Sequence, residues 1–191
     1  MKKLVVIDCC MRAESRTRQI LNPVVEALSL RYDVEHIDVA SLGLKAVDSV
    51  VLDERASGYV PEEIVSMARR IANAHRIVIA APFWDMSFPA ALKVFFENMS
   101  LFNITFADDG EKCVGLCSCE RVLYITTRGM NIHTGDDIEQ GVPYIKALSR
   151  LWGMGDVMCV SAQNLDYSTD DEIKEKIKRA IDEALTICKD F

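Results

Sequence analysis

The sequence predicts an α/β protein built on a five-stranded, parallel, doubly wound sheet, and three observations carry that prediction. Its main strand-like runs are apolar without alternation, as strands covered on both faces are. Those runs alternate with stretches that carry apolar residues at helical spacing, the order that gives parallel sheets. No repeat, linker or composition break divides the 191 residues, so residues 1–191 read as a single domain.

Lys3 to Asp8 (Lys-Leu-Val-Val-Ile-Asp) is the first strand. A polar loop follows, then a helix marked by Ile20, Leu21, Val24, Val25 and Leu28. Val34 to Val39 reads as the second strand, and residues 40–60 as a long loop with room for one short helical piece. Pro61-Glu62-Glu63 places proline and acid where a helix starts, and that helix runs to Ala74. Arg76 to Ala81 is the third strand, followed by the loop Pro82 to Phe88 and an apolar helix from Pro89 to Ser100. Asn103 to Phe106 and Cys113 to Leu116 flank Asp108-Asp109-Gly110, a hairpin signal. Arg121 to Thr126 is the fourth strand, Val142 to Trp152 a helix ended by Gly153, and Val157 to Ala162 the fifth strand. Thr169 and Glu172 form a capping box that opens the last helix.

Composition excludes several classes. Hydrophobic residues at 50% and charged residues at 27% are ordinary for a globular chain, not a disordered one. The net charge is −7 and no Lys/Arg stripe occurs, which argues against a nucleic-acid partner. Ile77 to Trp84 is the longest nearly apolar stretch and is far short of the about 20 residues that span a bilayer, so no membrane partner is predicted. Met1-Lys2-Lys3 opens like a signal peptide, but Asp8 interrupts the apolar run behind it, and the expectation is a cytoplasmic protein. Seven cysteines without regular spacing point to reduced thiols. Cys113-x3-Cys117-x-Cys119 fits neither a zinc nor a ferredoxin spacing, and no metal is predicted.

In a doubly wound sheet, ligands bind beyond the carboxyl ends of the strands, which directs attention to the loops after the first, third and fourth strands. The first, Cys9 to Thr17, offers helix-start amides, the Ser15 and Thr17 hydroxyls, and Arg12 and Arg16 as an anion cradle. Its plainer reading is a capped helix with solvated arginines. No Gly-x-Gly-x-x-Gly occurs, which argues against a Rossmann dinucleotide site. A rival reading of the same loop is Cys10-x5-Arg16-Thr17, the Cys-x5-Arg-Ser/Thr signature of cysteine phosphatases, in which a thiolate attacks phosphorus. Glu14 inside the loop and the lack of an Asp-Pro dipeptide weigh against it.

The second loop, Pro82-Phe83-Trp84-Asp85-Met86-Ser87-Phe88-Pro89, offers stacking area for a flat ring, or packing against a helix or partner subunit. In the third, Thr126-Thr127-Arg128-Gly129-Met130, Gly129 permits close backbone approach and Thr127 and Arg128 supply donors. His133, just beyond it, faces either the pocket or solvent.

Two segments, IVIAAPFWDMSFPAALKVFFENMSLFNITF and VLYITTRGM, resemble the FMN-dependent NADH-azoreductases, a family of flavodoxin-like NAD(P)H:quinone reductases. The resemblance covers nearly the whole chain. It implies a three-layer flavodoxin-like fold and FMN as cofactor. It further implies NADH or NADPH as co-substrate, a quinone or azo acceptor, and a homodimer with the flavin at the subunit seam.

By the same resemblance, Cys10, Ser15, Arg16 and Thr17 surround the FMN phosphate. Phe83, Trp84, Asp85 and Met86 line the isoalloxazine ring, and Thr127, Arg128, Gly129 and Met130 meet its pyrimidine edge. Cys10 stands where the family has Ser, Asp85 where it has Asn, and Met130 where it has Gly. The implied scheme is ping-pong transfer of two electrons, the flavin carrying the chemistry and no side chain acting as acid or base. The third loop's amides, helped by Arg128, would favour the reduced ring's negative charge. The alternatives are a flavodoxin-like electron carrier without NADH oxidation, and the phosphatase using Cys10 and Arg16.

Overall fold

The computed structural model describes residues 1–191. Strands β1 (Lys2–Asp8), β2 (Tyr32–Asp38), β3 (Arg76–Ala80), β6 (Arg121–Thr127) and β7 (Asp156–Ala162) pair in parallel in the order β2-β1-β3-β6-β7. Strands β4 (Phe106–Asp108) and β5 (Cys113–Gly115) form a separate antiparallel hairpin. The helices are α1 (Arg16–Ser29), α2 (Ser49–Ala56), α3 (Glu62–Ala72), α4 (Ala90–Met99), α5 (Gly141–Trp152) and α6 (Asp170–Cys188).

The central strands are apolar throughout because both faces are covered. Leu4 and Val6 of β1 belong to the same buried cluster as Ile20 and Leu21 of α1 and Ile177 of α6. Val5 and Ile7 belong to the opposite cluster, with Ile71 of α3, Leu92 of α4 and Ile145 of α5. The period-2 alternation of side chains thus feeds two cores from one run of β-branched residues. The chain leaves β1 for β2 on one side and returns to β3 on the other, so strand order reverses between β1 and β3. Loops leaving these two strands diverge there and open a crevice.

Local chemistry fixes the element ends. Ser15, in extended backbone, accepts a hydrogen bond from the Arg18 amide at 3.3 Å and caps α1. Thr169 and Glu172 complete the expected capping box on α6. Gly153 ends α5 with φ 74°, and Gly115 of the hairpin packs so tightly against it that a Cβ there would lie 1.9 Å from the Gly153 nitrogen.

Residues 40–60 hold the expected short helical piece as the two-turn helix α2, capped by Asp48 on the Val51 amide at 3.0 Å. It buries no residue, and so leaves no apolar period in the sequence. Two strand starts need adjustment. The first hairpin strand begins at Phe106 and not at Asn103. Asn103 adopts φ 63° and donates its amide to the Phe106 carbonyl at 2.7 Å, closing a turn. The second strand starts two residues earlier, at Tyr32, where the Tyr32 hydroxyl bonds the Phe191 carbonyl at 2.6 Å. No helix is long and apolar enough to cross a membrane.

Candidate functional site

The loops after β1, β3 and β6, joined by Leu165 and Asp166 from the loop after β7, meet around one open cavity of about 390 Å³. The first loop brings backbone donors. The amides of residues 11 to 17 hydrogen-bond to no protein acceptor, and the N-terminus of α1 directly follows. Unpaired amides at a helix start make a site for an anion. Arg12, Ser15 and Arg16 line the cavity beside them, and Arg16 pairs with Asp166 at 3.2 Å.

The loop's shape is held from behind by two residues that the sequence reading missed. Asp8, buried at the end of β1, accepts from the Cys10 amide at 2.8 Å and from Arg18 Nε at 2.9 Å. The Arg18 guanidinium then donates to the carbonyls of Cys10, at 2.9 Å, and Arg12, at 3.3 Å. With two carbonyls turned inward, the neighbouring amides are left for the cavity. Burial alone would raise the Asp8 pKa, but the Arg18 and Cys10 hydrogen bonds outweigh it and hold the carboxyl below its ordinary value. A carboxylate closing an otherwise apolar buried strand was the one available signal; Arg18, ten residues on, had none.

Cys10 does not reach the cavity. Its thiol is buried in the α1/α6-side core, 3.9 Å from the Ala80 carbonyl, and burial pushes its pKa up to about 12. A phosphatase needs an exposed thiolate, so the phosphatase reading loses its nucleophile. Thr17 is also fully buried; its hydroxyl lies 2.7 Å from that of Thr127 and ties the first loop to the third.

The second loop contributes Phe83 and Trp84 to the wall, Trp84 remaining 40% exposed. Trp84 and Ser87 exchange backbone hydrogen bonds at 3.1 and 2.8 Å, closing a two-residue turn. Asp85 and Met86 occupy its tip with φ 46° and 65°, the backbone signs of a type I′ turn. Both residues are exposed and absent from the cavity lining, and the Met86 carbonyl is fixed by the Gln140 amide at 2.9 Å.

In the third loop, Thr127, Arg128 and Gly129 line the cavity, and the amides of Gly129 and Met130 have no protein acceptor. Gly129 is needed for closeness, since a Cβ there would lie 2.0 Å from Asp166 Oδ2. Met130 is half-exposed outside the lining. Although Arg128 belongs to the lining, its guanidinium is buried, so any effect on a ligand is through its charge and not through a free donor. Its side chain is 0% exposed, donates to the Ile132 carbonyl at 3.0 Å and to Thr134 Oγ1 at 2.9 Å, and sits 3.8 Å from buried Glu139.

His133 is exposed and pairs with Gln163 at 3.1 Å rather than lining the cavity. Cys113 is exposed, Cys117 half-buried and Cys119 buried, and no three His, Cys, Asp or Glu side chains converge as a metal site.

The sequence matches, over residues 2–186, the model of a protein family described by its flavodoxin-like fold. The chain belongs to this flavodoxin-like family. Two of its relatives carry the name FMN-dependent NADH:quinone oxidoreductase. One, from Clostridium perfringens (strain SM101 / Type A), is 28% identical over 200 residues, with both chains covered completely. The other, numbered 2 in Clostridium acetobutylicum, is 28% identical over 202 residues, again with complete coverage. Among solved structures, an azoreductase from Bacillus anthracis str. Sterne superposes with a TM-score of 0.82 at 18% identity, covering 100% of both chains. An FMN-dependent NADH-azoreductase from Bacillus anthracis str. Ames Ancestor, in complex with FMN, gives 0.81 at 21% identity, covering 98% of this chain and 100% of its own. At such identities these two establish the shared flavodoxin-like fold.

Proposed function

We propose that this chain is an FMN-dependent NAD(P)H oxidoreductase that passes two electrons to a quinone or azo acceptor. The observation that carries the reading is the convergence of an amide cradle, an aromatic wall and a second pair of free amides on one cavity. Relatives matched end to end bear the name FMN-dependent NADH:quinone oxidoreductase, which supports the same reading.

The residues present fit FMN. A cavity of about 390 Å³ lies within the roughly 300–1,000 Å³ of small-molecule sites. The phosphate belongs on the amides of residues 11 to 17, where Ser15 Oγ and Arg16 add a hydroxyl and a charge. Thr17 serves through its amide, its hydroxyl being spent on Thr127. Phe83 and Trp84 offer the ring its apolar surface, and the Gly129 and Met130 amides offer donors to its polar edge. Asp85 and Met86 form the tip of the turn beside Trp84 and stand outside the cavity lining.

Bound FMN supplies the centre that accepts and returns hydride. The chain would bind and orient it through the cradle, Phe83 and Trp84, and need supply no acid or base. A nicotinamide and an acceptor using the same cavity in turn would give ping-pong kinetics. The protein acts as a homodimer in the cytoplasm: Phe102, 57% exposed, and Leu116, 44% exposed, supply apolar surface for a second copy, and seven free cysteines suit a reducing compartment.

Initial rates of NADH oxidation at several fixed quinone concentrations test this reading. Parallel double-reciprocal lines that require added FMN are expected. FMN-independent hydrolysis of para-nitrophenyl phosphate, or FMN binding without NADH oxidation, would contradict it.

A further inference from the structure

Behind the aromatic wall lies a buried pair of opposite charges. The Arg128 guanidinium carbon sits 5.4 Å from the centre of the Phe83 ring, whose residue lines the cavity. Glu139 Oε1 lies 3.8 Å from Arg128 Nη2, and both side chains are 0% exposed. Arg128 Nε and Glu139 Oε2 have no hydrogen-bond partner, so the two groups face each other chiefly as charges. Glu139 Oε1 also accepts from the Gly141 amide at 2.8 Å and the Val142 amide at 3.0 Å, which seats the carboxylate at the start of α5.

We infer that Glu139 is a positioning residue that sets the electrostatics of the cofactor site by neutralising Arg128 behind Phe83. The inference rests on the FMN reading above and adds a residue outside the cavity to it. Two-electron reduction with uptake of one proton leaves the isoalloxazine with one more negative charge. A guanidinium behind a single ring would favour that charge; a carboxylate beside the guanidinium cancels the preference. Burial makes the cancellation matter, because a charge in a low-dielectric setting is screened far less than in water. Glu139 thereby keeps the bound cofactor from holding its electrons too tightly to pass them on.

Two single variants separate charge from packing. Glu139→Gln keeps the volume and an oxygen to accept from Gly141 and Val142, but leaves Arg128 uncompensated. Binding of reduced relative to oxidised FMN should strengthen by about tenfold for one unbalanced charge behind a ring. That is a rise of about 30 mV in the midpoint potential of the two-electron couple. Arg128→Met leaves Glu139 uncompensated and should move the potential in the opposite direction.

The measurement is anaerobic equilibration of each FMN-loaded protein against a reference dye, with oxidised-FMN affinity measured in parallel. Shifts of opposite sign support the inference. Shifts of the same sign, or weaker binding at an unchanged potential, mean a structural role only and overturn it. Should Arg128→Met fail to fold, the sign for Glu139→Gln decides alone. A wild-type protein that binds no FMN overturns the FMN reading and the inference with it, an outcome distinct from wild-type binding with an unmoved potential.

Discussion

At the scale of single residues, the site depends on which way each side chain of an irregular loop turns. Ser15, Arg16, Phe83, Trp84, Thr127 and Gly129 were legible because their chemistry and their place after a strand point the same way. The burial of the Cys10 thiol and of the Arg128 guanidinium was not, since no spacing rule says that one thiol enters the core and one guanidinium folds beneath an aromatic ring. Asp8 and Arg18 shape the cradle without lining it. Arg18→Met should therefore weaken FMN binding by tenfold or more in a fluorescence titration, although Arg18 is absent from the cavity wall; unchanged affinity would remove its assigned role. Asp8 also makes stability depend on pH. Its folded pKa lies below its unfolded value of 3.8, so its contribution is full above that value and is lost as pH falls through the folded one. Urea unfolding should show wild type more stable than Asp8→Asn at pH 6, with the gap narrowing below about pH 4. Trp84→Ala removes a half-exposed side chain, and the expected result is weaker FMN binding with stability changed by about 0.5 kcal/mol or less.

At the scale of elements, what could be read was what buries an apolar face. β1, β3 and β6 announce themselves as uninterrupted apolar runs, and α6 by its stripe and capping box. α2 buries nothing and left no pattern. The Trp84–Ser87 turn was hidden for a different reason: type I′ turns favour Asn-Gly, and here Asp85-Met86 occupy the two left-handed positions. A methionine at φ 65° carries backbone strain that glycine would relieve. Met86→Gly should leave the fold intact and stabilise it by up to about 1 kcal/mol, read as a higher urea midpoint at constant m-value. A lower midpoint would show that Met86 contributes packing that its exposure does not suggest. Leu92 anchors α4 in the core with no exposure, and Leu92→Ala should cost about 2–5 kcal/mol in the same assay.

At the scale of the whole molecule, the reversal of strand order between β1 and β3 makes one crevice, and the adjacent β6 loop closes it. Alternation of strands and helices was enough to predict the crevice and the three loops around it. What it could not predict is the wiring behind them: Thr17 to Thr127, Asp8 to Arg18, Arg128 to Glu139. Those contacts join residues ten to more than a hundred positions apart, whose meeting depends on how the layers pack. Locally the cradle sets amides, Arg12 and Arg16 against the net charge of −7, with Glu14 and Asp166 also in the lining and Asp166 paired to Arg16. Titration of the FMN-free protein into FMN, followed by flavin fluorescence, tests the central claim most directly. Saturable quenching with micromolar or tighter affinity, weakened by Arg18→Met and Trp84→Ala, is the predicted result. No quenching by a folded protein would mean that the amide cradle and aromatic wall serve some other ligand.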